Sequence, residues 1–307
     1  MGKGVRKMTK AAFKRRTVDE KKEQVEKLIQ SLDEGVKNFT YNPGRFKALL
    51  EMQALMPKYT FRNIMLARIQ LPEAQFIASF NRWKELGRNV KKGERSLRIL
   101  APRFKKVKDE ITGEEETKLI GFLGVPVFDV SQTEGDPLPA DRIKLTLDGE
   151  SQEAVDIFEW VKELAKEDDC PVTIKHADGA NGYYSITNHA IVVDSKLSIN
   201  HRAKTGVHEL VHSRVHRNIN GTTATERECV AEGVAFIVCS YFGLDTSDYS
   251  FEYVNGWSKD GGESLMKYGD IMQKTANLLI EDFERVAEKS QAQAAGEGEK
   301  NDSPISA

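Results

Sequence analysis

Cysteine is scarce in this 307-residue chain, and the three present, Cys170, Cys229 and Cys239, form no pair-spaced motif. That excludes a disulfide framework and cysteine-based zinc knuckles, and suits a reducing compartment. Long apolar runs are missing too. No stretch approaches the ~18 uninterrupted apolar residues of a membrane span, and Met1–Arg6 lacks the apolar core of a signal peptide. Arg6 also breaks the myristoylation pattern, so a cytoplasmic protein with no membrane partner is expected. No sequence-specific DNA-reading motif is visible. What remains, 39% hydrophobic and 30% charged residues, describes a globular chain long enough for two domains.

The near-neutral net charge of −2 conceals a strong asymmetry. Up to Lys108 there are 27 Lys and Arg against 10 Asp and Glu, or +17; from Asp109 onward there are 18 against 37, or −19. A field that positive attracts polyanions, nucleic acid first. Residues 1–16 are basic, poor in large apolar side chains, and expected to be a disordered arm.

An N-terminal domain is expected over 17–130. Thr17 and Glu20 form a capping box, opening a helix that Gly35 ends; further helices are predicted from Pro43 to Met56 and from Phe61 to Leu71. Two strands follow, Ser96–Phe104 and Leu119–Val130, joined by an acidic turn. Between helices and strands, Gly87 and Gly93 bracket a basic loop beside Trp83. Trp83, Arg88, Lys91, Lys92, Arg98 and Arg103 combine an aromatic platform with cations, as proteins that hold single strands do. Trp83 serves equally well as a core residue. Residues 131–149, containing Pro137 and Pro139, read as a linker.

The C-terminal domain, 150–289, is expected to be mostly helical with a small sheet, and 290–307 to be a disordered tail. A helix is predicted over Glu153–Lys166, strands over Pro171–Lys175 and Tyr183–Asp194, and a last helix over Lys267–Lys289. Its centre is His208-Glu209-Leu210-Val211-His212. On one helix these imidazoles share a face one turn apart, able to grip a single metal ion, with Glu209 beside it as candidate catalytic acid/base. Asn218 to Gly221 stops this helix, and a capping box at Thr223 and Glu226 starts the next.

At about 1.5 Å per residue from that turn, Glu228 stands level with His212 and Glu232 level with His208. Either carboxylate can complete the set. Glu228 is chosen as ligand, with Glu232 fixing a His ring from behind, and the exchanged assignment stays open. His216 lies about 12 Å along the axis from His208, so one helix cannot deliver all three imidazoles to one ion. It is read as a structural or substrate-side residue. With Zn2+ as the expected cofactor, Glu209 would take a proton from water and return it to a leaving amine, with Tyr253 or His216 as candidates to stabilise the oxyanion.

Four pieces in order, Tyr59–Asn63, Trp83–Glu94, Val127–Thr133 and His208–His212, resemble the ArdC-type antirestriction proteins and their LtrC-like relatives on mobile genetic elements. The resemblance implies an α+β chain: an N-terminal α/β domain that binds single-stranded DNA, then a zincin-like metallopeptidase domain related to the ImmA/IrrE peptidases. It carries the metal-ligand role onto His208, His212 and Glu228, and the acid/base role onto Glu209. Two other functions fit the same residues: a regulatory or DNA-repair metalloprotease recruited to DNA to cleave a protein, and a non-catalytic DNA-binding protein with a structural metal. Replacing Glu209 separates them.

Overall fold

The structure is a computed structural model, and it describes residues 17–108, 115–137, 151–217 and 221–301. The basic arm at 1–16, the acidic turn at 109–114 and most of the expected linker lie outside the described residues.

Three helices open the chain: α1 (Val18–Lys37), α2 (Pro43–Leu55) and α3 (Phe61–Gln70). Thr17 and Glu20 make the reciprocal capping box, and Asn42 and Thr60 cap α2 and α3. The first helix runs through Gly35 to Lys37, because the side chain of Ile69 fills the space over that glycine and seats the helix on α3. Then come β1 (Ile77–Ala78), α4 (Phe80–Glu85), β2 (Arg88–Val90), β3 (Leu97–Lys108), β4 (Glu115–Asp129) and β5 (Thr133–Gly135). The sheet order is β1-β4-β3, all antiparallel, with β2 and β5 as a separate antiparallel pair.

Two amides on α3 close the inner edge of β3. Asn63 donates to Leu100 O and accepts from Leu100 N, both at 2.9 Å; Gln70 does the same for Arg98 at 2.8 and 2.9 Å. Each side chain thus imitates a neighbouring strand and satisfies an edge that would otherwise pair with another chain. Buried Asp129 ties the far end, accepting from the N–H groups of Gln75, Phe76 and Ser131.

Residues 131–135, expected to begin a linker, instead form a 3-10 turn and β5 paired to β2. A three-residue strand is too short to show a period, so its composition misled.

The second half contains α5 (Gln152–Glu167), β6 (Val172–Lys175), β7 (Gly182–Ser185), β8 (Ala190–Asp194), α6 (Ile199–Val215), α7 (Ala224–Tyr241), a 3-10 stretch at Glu252–Asp260 and α8 (Glu263–Asn301). Its sheet runs β6-β8-β7, with β6 parallel and β7 antiparallel to β8. The last helix extends through the expected tail to Asn301, since Gln, Ala, Glu and Lys favour helix without any apolar period.

One apolar core joins both halves. Phe46 on α2 meets Phe251 and Trp257 edge-to-face at 5.4 and 5.3 Å, and Gln273 on α8 donates to Pro57 O at 2.7 Å. Among the described residues no helix is long and apolar enough to cross a membrane.

Candidate metal centre

Ser198 caps α6 by accepting from His201 N, and the Thr223–Glu226 capping box fixes the start of α7. With both starts set, the helical repeat decides which side chains meet. His208 and His212 do share a face: their Nε2 atoms stand 3.1 Å apart. Glu228 reaches across from α7, with Oε2 3.2 Å from His208 Nε2 and Oε1 3.3 Å from His212 Nε2.

The two Glu228 oxygens divide between the imidazoles, and one ligand atom from each of the three residues lies within 4.8 Å of the others, compact enough to close on an ion that takes bonds of about 2 Å to nitrogen and oxygen. The residues therefore fit a divalent ion with a fourth position open. Glu232 has no hydrogen bond to this trio among the described residues and sits in the cleft wall, its carboxyl pushed up to about 7 by burial.

The two imidazoles hold the Glu228 carboxyl well below the ordinary carboxylate range, keeping it anionic. Glu209 shows the opposite behaviour. Burial, reinforced by the nearby Glu228 charge, lifts it to about 7 against the pull of His212 and of a hydrogen bond from the Tyr184 N–H. Across α6 and α7 the site holds a carboxylate fixed as an anion and a carboxyl balanced between its two states.

His216 orients rather than ligates. Its Nδ1 is 2.9 Å from His212 Nδ1, and since His212 presents Nε2 to the trio, its Nδ1–H donates to His216. Burial holds His216 down at about 4, so it stays neutral and able to accept. The expected orienting role thus falls to His216 for His212. Tyr253, read as an oxyanion candidate, is packed against Phe46, Phe251 and Trp257 and donates to Cys229 O, away from the cleft.

Two open hollows of about 480 and 280 Å³ share Gly182, His208, Glu209 and Glu228 in their walls. His201, Lys204, Asp248 and Tyr249 line the larger; Tyr184, Ile186, His216 and Arg227 line the smaller. Strand β7 runs beside both as the outer strand of its sheet. The contribution of Tyr184 was not anticipated. The alternation of Gly182 to Ser185 places a strand there, but only the fold brings its N–H to Glu209.

The basic set chosen for DNA divides differently. Trp83 is fully buried and donates from Nε1 to Phe128 O at 2.9 Å, so it is core and no base can stack on it. The Arg88 guanidinium is spent on Thr133, Gly135 and Asp136, and Lys91 on Ser131 O, latching β5 rather than facing a ligand. Arg98 is half-buried beside the amide of Gln70. Lys92 and Arg103 are exposed. Groups 40 to 48 positions downstream, most of them backbone carbonyls, absorbed the apparent patch, a pairing that local spacing does not show.

Comparison with known proteins places these features in context. Residues 18–128 match the profile of ArdcN, the N-terminal domain of anti-restriction factor ArdC. An uncharacterized protein of Bacillus anthracis, pXO2-81, is 23% identical over 97% of this chain, and the chain spans 57% of that relative's length. Two crystal structures of the antirestriction ArdC protein from the R388 plasmid also align. The metal-free form is 22% identical, covering 74% of this chain and 84% of the other at a TM-score of 0.48. The Mn(II)-bound form is 21% identical, covering 72% and 84% at 0.44.

Proposed function

From the match of residues 18–128 to the N-terminal domain of anti-restriction factor ArdC, we propose that this chain is an antirestriction protein of a mobile element. In this reading the N-terminal half holds single-stranded DNA and the C-terminal half is a metal-dependent peptidase. One observation carries it: His208, His212 and Glu228 converge on a single point, with buried Glu209 beside them in an open cleft.

A divalent ion held by those three residues supplies Lewis acidity and acidifies a water. Glu209 takes the proton, since a carboxyl balanced near neutrality both accepts and returns one. Tyr184 N–H holds Glu209 in place, and His216 keeps His212 in the ligating tautomer. Hollows on both sides of the trio favour a chain lying across the site over one whose end is seated there. The outer edge of β7 supports this, offering backbone groups to an extended peptide.

Glu209→Gln is the test. It spares the three ligands, so metal content by mass spectrometry should match the parent, while hydrolysis of an unfolded protein substrate should fall roughly 10²–10⁴-fold. Undiminished hydrolysis would remove Glu209 from the reaction. Protection of incoming DNA that survives the substitution would separate antirestriction from proteolysis.

A further inference from the structure

The hydrogen bond from the Tyr184 N–H to Glu209 is only as steady as the strand that carries it. Strand β7 has four residues and lies at the edge of its sheet, paired on one side to β8. Its backbone rests directly on α6: a Cβ on Gly182 would stand 2.6 Å from Thr205 Cγ2 and 3.6 Å from Glu209 Cγ. The side chain of Tyr184 adds an anchor. Its hydroxyl is 2.9 Å from Nδ1 of His189, and the two rings meet edge-to-face at 5.8 Å.

His189 is the last of residues 186–189, which join β7 to β8, and it adopts a left-handed φ of +45°. Asn or Gly meets that backbone demand with less strain, so the turn alone does not require an imidazole. The ring instead spans two partners. Nε2 lies 3.0 Å from the main-chain oxygen of Asp168, which can only accept, so Nε2 carries the proton. In the neutral ring Nδ1 is then the acceptor, and the Tyr184 hydroxyl donates to it.

Asp168 ends α5 and passes the tie onward. Its carboxylate accepts from Arg214 Nε at 2.6 Å, and Arg214 stands on α6 about 7.5 Å along the axis from Glu209. Asp282 on α8 holds the same guanidinium through Nη1 at 2.6 Å. The contacts thus close a circuit that leaves α6 at Glu209, runs through Tyr184, His189 and Asp168, and returns to α6 at Arg214.

We propose that His189 is a positioning residue for the metal centre, pinning Tyr184 and the edge of β7 to α6 so that the Tyr184 N–H stays on Glu209. It rests on the peptidase reading above and adds to it a residue outside the walls of both hollows.

The test compares full-length variants loaded with Mn2+. It follows kcat and KM on labelled casein, and hydrogen–deuterium exchange of the peptide spanning residues 182–186. His189→Asn suits the left-handed turn, but its side chain is too short to reach both Tyr184 and Asp168. It should lower kcat roughly tenfold or more, hold KM within about twofold and metal content unchanged, and quicken exchange in β7. Tyr184→Phe should reproduce the loss, and the two together should lose no more than either alone, since both open one circuit. His189→Gln, whose amide carries an acceptor and a donor, should recover much of kcat. If His189→Asn keeps the parent's kcat, whether or not exchange quickens, or if the two losses multiply, the positioning role is wrong and the peptidase reading survives. A metal-loaded parent that hydrolyses no casein overturns both.

Discussion

Two antiparallel hairpins, β3–β4 and β7–β8, put similar apolar residues to opposite uses. In β7–β8 the strands are four and five residues long, Ile191 and Val193 are wholly buried, and the sheet is closed against α6. In β3–β4 they are twelve and fifteen residues long, and the outer rows have no helix over them. A hairpin as long as its cover becomes a wall, here of the metal cleft; one that outruns its cover becomes an arm. Bulk hydrophobicity does not distinguish the two, and length against the supporting helices does.

Matched substitutions break the comparison most sharply. Ile191→Ala should destabilise the fold by about 3 kcal/mol, since the buried site cannot collapse, whereas Phe104→Ala should stay within about 0.5 kcal/mol. Chemical denaturation reads both. Next come the glycines. A Cβ on Gly182 would stand 2.6 Å from Thr205 Cγ2 and 2.7 Å from Val192 O, so Gly182→Ala should cost about 1–3 kcal/mol and push β7 off α6.

That shift carries Tyr184 N–H away from Glu209, and hydrolysis should fall further than stability alone explains. Gly121→Ala meets nothing within 4 Å but inherits a φ of +134°, costing about 1 kcal/mol and leaving the cleft untouched. The smallest effect concerns the helices behind the wall. Hydrogen bonding to Arg285, with Lys289 beside it, holds Glu167 down at about 2. A depressed carboxylate stabilises the fold above its unfolded pKa of about 4.3, and the contribution fades as pH falls through 2. Melting temperatures of Glu167→Gln should therefore converge on the parent's toward pH 2 and separate from them above about pH 4.5.

The convergence of the candidate metal-binding side chains was legible because every step in it is local. The capping box at Thr223 and Glu226 sets where α7 begins, and a fixed helical repeat then decides that Glu228 meets His208 and His212 of α6. The basic surface was illegible because its fate depends on partners distant in sequence. Trp83 sits in α4, six residues long and too short to reveal a buried face, although the Ser79 cap was there to be read. Arg88 is consumed by Thr133, and the face of Leu119 is set by a one-residue slip that no alternation pattern announces.

The shared core has a consequence for synthesis. Phe61 on α3 fills the space over Gly269 on α8, and Pro57 O receives its hydrogen bond from Gln273, 216 positions later. The apolar side of α3 therefore leaves the ribosome well before the helix that shelters it exists. A nascent chain halted before α8 would expose Phe61, and its safety until completion falls to chaperones and to the speed of translation.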